Sequence, residues 1–86
     1  MLKIWSDEAW DEYLYWQSRD KKTLKRINAL IKSIERDGAM KGIGKPEPLK
    51  YRPGYSRRID DNGNRLVYDI KDGKLEIVSC KGHYED

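Results

Sequence analysis

The hydrophobic positions of this chain change period once. Over residues 20–38 they follow a helix. Leu24, Ile27, Leu30, Ile31 and Ile34 recur every three or four residues and make the clearest periodic signal present. Asp20 suits the N-cap of that helix and Gly38 its C-terminal end. A weaker helical pattern precedes it. Trp10, Tyr13, Leu14 and Gln17 stand at i, i+3, i+4 and i+7, which predicts a first helix running to about Ser18. Ser6 is its predicted N-cap, with Asp7 and Glu8 in the first turn, where negative charge complements the helix dipole. The join at about residues 19–20 is short, so the helices should form an antiparallel hairpin. Residues 2–5, L-K-I-W, alternate weakly and read as a short strand.

After Gly38 the pattern switches. G-A-M-K-G-I-G-K-P-E-P (38–48) rules out regular helix and reads as a loop holding Glu47 extended between prolines. Strands are expected at about 49–51, 55–60, 65–71 and 74–81. Asn62-Gly63 and Asp72-Gly73 both suit two-residue type I′ hairpins. Such turns pair Ile70 with Leu75, Tyr68 with Ile77, Val67 with Val78 and Arg65 with Cys80. They also pair Asp60 with Arg65, Ile59 with Leu66 and Arg58 with Val67. Opposed residues share a face. Tyr55, Ile59, Leu66, Tyr68, Ile70, Leu75 and Ile77 therefore make the face that buries against the helices. Ser56, Arg58, Asp60, Arg65, Val67, Asp69, Glu76, Val78 and Cys80 make a polar face. Arg57 is a misfit on the apolar face, expected at its rim. The predicted class is α+β: two N-terminal helices on a mainly antiparallel twisted sheet.

Eighty-six residues make one expected domain, 1–86. Three Trp and six Tyr stand in for the absent Phe, and the Trp5, Trp10 and Trp16 set reads as core. One cysteine excludes an intrachain disulfide and points to a reducing compartment. Cys80 has no second Cys or paired His beside it to suggest a metal site, so it reads as a small strand residue. No apolar run spans a membrane and no signal-peptide core is present, which points to a cytoplasmic protein. Charged residues are 38% of the chain but net only +3, and the pI near 9.0 leans toward polyanionic partners.

The chemistry follows from the register. Arg58 and Arg65 lie near the centre of the polar face, and the tail carrying His83 starts beside them. Metal-independent RNA cleavage needs a base for the 2′-OH, an acid for the departing 5′-oxygen, and cations for the charge on pentavalent phosphorus. Glu47, His83 and the Arg58/Arg65 pair can supply these, with Lys50 as a phosphate contact and Tyr84 stacking on a base or holding the imidazole. Residue types alone favour plainer roles: arginines paired with Asp60 and Asp69, an ordinary loop carboxylate, a solvated Lys50, an inert tail histidine.

Six blocks tip that balance. A-W-D-E-Y-L-Y-W (9–16), D-K-K-T-L-K-R-I-N (20–28), G-I-G-K-P-E-P-L-K (42–50), S-R-R-I (56–59), R-L-V-Y (65–68) and terminal H-Y (83–84) together resemble the Txe/YoeB family of bacterial toxins in the RelE/ParE superfamily. The resemblance implies a microbial-ribonuclease-like, RelE-like fold. It implies an endoribonuclease that cuts mRNA in the ribosomal A site without a cofactor. A YefM-like antitoxin is the implied partner, with operator DNA reached only through it, no membrane, and room for a homodimer. By motif, Glu47 matches the general base, Lys50 a phosphate-contacting lysine, Arg58 and Arg65 the arginines of the site, His83 the general acid and Tyr84 the closing aromatic. The chain departs from the pattern in three places: Glu85-Asp86 follow the tyrosine, the 52–55 loop is short with Tyr55 where tryptophan is common, and the D-N-G-N turn is one residue longer. A relative that kept the fold but lost catalysis, acting as a repressor subunit with its antitoxin, is the alternative. A topoisomerase inhibitor would leave the Glu/Arg/Arg/His set without a role.

Overall fold

The computed structural model describes residues 1–82. The chain runs β1 (Leu2–Trp5), α1 (Asp7–Arg19), α2 (Lys21–Asp37), β2 (Glu47–Pro48), β3 (Tyr55–Arg58), β4 (Arg65–Lys71) and β5 (Lys74–Ser79). Both helix starts obey the expected caps. The Ser6 hydroxyl accepts from Ala9 N at 3.0 Å, and Asp20 accepts from Thr23 N at 3.1 Å. Gly38, at φ 99°, ends α2. The sheet order is β1-β5-β4-β3-β2, antiparallel throughout except for β1, which pairs parallel to β5. This is the expected α+β arrangement, a helix pair against one face of a mixed five-stranded sheet.

The α2 stripe buries as its spacing predicts: Ile27, Leu30, Ile31 and Ile34 join Leu66, Tyr68, Leu75 and Ile77 in the core. Removing such an aliphatic side chain from water contributes about 1.5–3 kcal/mol each. The α1 stripe is rotated from the expected one. Its buried residues are Ala9 and Trp16, while Trp10 is 46% exposed and Leu14 and Gln17 also face out. The helix seats its small residue, Ala9, beside Cys80, whose thiol donates to the Ala9 carbonyl. Trp10 is therefore not core, although Trp16 is.

Strand pairing departs from the expected register in three ways. First, the early strand is Glu47–Pro48, not 49–51, and Glu47 pairs with Ser56. Second, Asp72 (φ 52°) and Gly73 (φ 72°) make the expected hairpin turn, but Asn62-Gly63 does not, since Asn62 keeps negative φ. The Asp60 carboxylate instead accepts from Asn62 N, Asn64 N and Asn64 Nδ2, and Ile59 N closes the loop on the Asn64 carbonyl at 2.9 Å. The register moves by two, so every side chain keeps its face while Arg58 comes opposite Arg65 instead of Val67. Third, a bulge interrupts the last pairing. Tyr68 meets Ile77 but Val67 meets Ser79, leaving Val78 as the extra residue. The Ser6 hydroxyl bonds the Val78 carbonyl at 2.8 Å. Beyond the bulge, Cys80 turns into the core rather than onto the polar face. Its N–H donates to Glu12, and its carbonyl accepts from Trp16 Nε1. Burial pushes the Cys80 thiol up to about 12, with the Glu12 carboxylate adding to the shift.

Candidate active site

Three elements bring the polar face together. Arg65 opens β4, Arg58 closes β3 directly across from it, and Glu47 lies on the edge strand β2. Arg65 Nη1 stands 4.0 Å from Glu47 Oε2, with Arg65 at 20% side-chain exposure and Glu47 at 57%. Arg58 and Arg65 also line a polar pocket of about 170 Å³ with Asp60, Asp61, Gly63 and Asn64. Like charges directly opposed across two strands destabilise a sheet by themselves. One carboxylate at 4.0 Å neutralises only part of this pair. The arrangement therefore suits an anion held between two planar forks.

Gly82, the last described residue, reaches the same place. Arg65 N donates to the Gly82 carbonyl at 3.2 Å, and Gly82 N donates to Asn64 Oδ1 at 2.7 Å. The expected Arg65–Cys80 pairing is replaced by this one, so beyond the bulge it is Gly82 that meets Arg65. His83 and Tyr84 lie outside the described residues. Lys50 is exposed in the 49–54 loop, which closes through Leu49 N to the Gly54 carbonyl, and it makes no ion pair among the described residues. Asn64 also belongs to the site, although the D-N-G-N segment signals only a turn.

Arg57 was the larger surprise. It is fully buried, not at a rim. Its Nε donates to Tyr68 Oη at 2.8 Å, and its Nη1 to Ser33 Oγ and the Ile43 carbonyl at 3.0 and 2.9 Å. Its Nη2 reaches the carbonyls of Gly38 and Lys41 at 2.8 and 2.7 Å. One side chain thus satisfies the backbone of the loop that leads to Glu47. Gly44 completes the clamp. Its carbonyl accepts from Arg58 N at 2.7 Å, and a Cβ there would stand 2.6 Å from Leu30 Cδ2.

Residues 5–84 match the model of the YoeB-like toxins of bacterial type II toxin-antitoxin systems. The chain belongs to this family. Toxin YoeB of Escherichia coli K12 is 50% identical over 86 residues, covering 98% of this chain and all of that one. The toxin in a heterotetrameric YoeB–YefM complex from Staphylococcus aureus superposes with a TM-score of 0.89 at 49% identity, covering 98% of this chain and 99% of that one. A YoeB dimer from the same organism gives 0.91 at 49% identity, covering 98% of each. Two helices on a five-stranded mixed sheet are thus the YoeB fold, and the rotated α1, the 59–64 loop and the bulge are details set within it.

Proposed function

We propose that this YoeB-like toxin is a cytoplasmic endoribonuclease that cuts mRNA in the ribosomal A site. One observation carries the reading: a carboxylate, two opposed arginines and the root of the C-terminal tail converge on one sheet face. Glu47 takes the 2′-OH proton. The freed oxygen attacks the adjacent phosphorus, and Arg65 and Arg58 stabilise the charge on its equatorial oxygens. The P–O5′ bond breaks, and His83 gives its proton to the departing 5′-oxygen. The products are a 2′,3′-cyclic phosphate and a 5′-hydroxyl. Tyr84 holds the imidazole or stacks on a base, and Lys50 contacts a neighbouring phosphate.

The partner is a YefM-like antitoxin, in keeping with the complex known for the staphylococcal relative. An acidic segment of it would cover the Arg58–Arg65 face, and operator DNA would be reached only through it. A second copy of the chain is the other partner, in keeping with the staphylococcal dimer.

Cleavage of programmed ribosomes tests the assignment. Glu47→Ala and His83→Ala should each abolish cleavage while the circular dichroism spectrum stays native. Arg65→Ala should slow single-turnover cleavage by about 10²–10³-fold, as the loss of one transition-state donor does. Cleavage that persists in both the Glu47 and His83 variants would remove the acid–base roles and favour a toxin that acts by binding alone.

A further inference from the structure

Beyond the Arg58–Arg65 pocket the surface continues as a larger groove of about 460 Å³, with Arg26 of α2, Lys45 and Arg58 on its walls. Arg58 borders both depressions, so they form one track. The track runs on past Arg26 to Lys22 at the start of α2. Arg26 Nη2 donates to the Arg58 carbonyl at 3.3 Å, which holds the guanidinium over the groove. None of these cations makes an ion pair among the described residues. Two carboxylates, Asp60 and Asp61, also line the groove and lower its net positive charge, but neither forms an ion pair with these cations. Asp60 is occupied by three hydrogen bonds to its own loop, and Asp61 is exposed.

Lys45 adds an independent observation. It sits at φ 50° in a loop whose other left-handed positions, Gly42 and Gly44, are glycine. Glycine would hold that backbone with less strain, so a lysine there is an uncommon choice. Strain of this kind collects at binding sites. A groove walled by unpaired cations, with Ile59 as its apolar floor residue, is built for a sugar–phosphate backbone.

We infer that Arg26 and Lys45 form a second phosphate subsite, which takes the phosphodiesters next along the RNA strand from the one at Arg58 and Arg65. The inference rests on the endoribonuclease reading, and it adds the path of the strand outside the reacting bond. The experiment is fluorescence anisotropy of a short, fully 2′-O-methylated RNA, which cannot be cut, against the full chain across a range of salt. Each phosphate contact to a single strand contributes about 0.7 to the slope of log K against log salt. Arg26→Gln and Lys45→Gly should each flatten the slope by about that amount and weaken binding at low salt. Lys74→Gln, at the tip of the β4–β5 hairpin, should leave both unchanged. Lys45→Gly should also keep or raise the melting temperature, which separates a lost contact from a lost fold. Slopes equal to wild type in both variants overturn the subsite. So does a loss seen only on vacant ribosomes with short-RNA binding intact, which would assign the two residues to ribosomal RNA. If the chain proves to cut no mRNA while the slopes still flatten, the subsite stands and the nuclease reading falls.

Discussion

Arg57 shows how much a single residue decides here and how poorly its role reads from sequence. Strand parity put it on the inward face, correctly, but parity gives a face and not a depth. A charge at an inward position is ordinarily assigned to the rim, because burying it costs several kcal/mol unless every donor is bonded. In this fold every donor is bonded: the glycine-rich loop after α2 turns its carbonyls inward onto the guanidinium. No spacing rule announces a cage made of backbone oxygens. By contrast the caps at Ser6 and Asp20 were legible, because each depends on one side chain and the helix beside it. Arg57→Met should destabilise the protein by at least about 3 kcal/mol, since several buried carbonyls and the Tyr68 hydroxyl lose their donor at about 1–3 kcal/mol apiece. Urea unfolding followed by tryptophan fluorescence measures this. A loss below about 1 kcal/mol would mean that water enters and takes over the guanidinium's bonds.

At the scale of elements, legibility follows the origin of each feature. The α2 stripe and the Asp72-Gly73 turn come from local periodicity and local φ preferences, and both form as read. The 59–64 loop and the β5 bulge come from side chains that capture backbone far from, or in competition with, the local signal. Asp60 draws Asn62 and Asn64 into a wider loop, while Glu12, Trp16 and Ser6 hold the bulged end of β5. The site residues keep their expected face because the β3–β4 register differs from the expected one by two residues, which preserves parity. The bulge then improved the site by delivering Gly82, not Cys80, to Arg65. The 38–46 loop is the element on which Glu47 depends, and Gly44 tests it. At φ 88°, with Leu30 and Arg57 within 3.1 Å of an added Cβ, alanine must push the loop off the sheet. Gly44→Ala should cost at least about 1–2 kcal/mol from the left-handed backbone alone. It should also loosen the amide of Arg58, which bonds the Gly44 carbonyl. Hydrogen exchange should show faster exchange at Arg58, with α2 unaffected. Unchanged protection there would show that the loop and β3 are not coupled.

For the whole molecule, the misread stripe of α1 has a use. The helical spacing of Trp10 and Leu14 predicts burial, but the fold leaves both residues outside: Trp10 at 46% and Leu14 at 39% exposure. Trp10 stacks on Tyr13 and meets Trp5 edge-on, each at 5.8 Å between centroids, so the aromatic group is already ordered. It lies beside β1, an edge strand with Leu2 and Ile4 exposed. An ordered apolar surface at an open sheet edge is what proteins cover with a partner. Arg58 and Arg65 lie on β3 and β4, away from β1 in the strand order, so a second copy seated at the β1 edge would leave the proposed active-site face free. If the proposed second copy is a partner, the α1–β1 edge is the seam we expect it to use. Leu14→Glu should break the dimer with little effect on the monomer's own core, because Leu14 is not part of it. Sedimentation velocity should show the wild type as a dimer and the variant as a monomer at the same concentration. The melting temperature should depend on protein concentration for the wild type and lose that dependence in the variant, since a subunit that binds only the folded state stabilises by mass action. A Leu14→Glu protein that still sediments as a dimer would move the seam off α1.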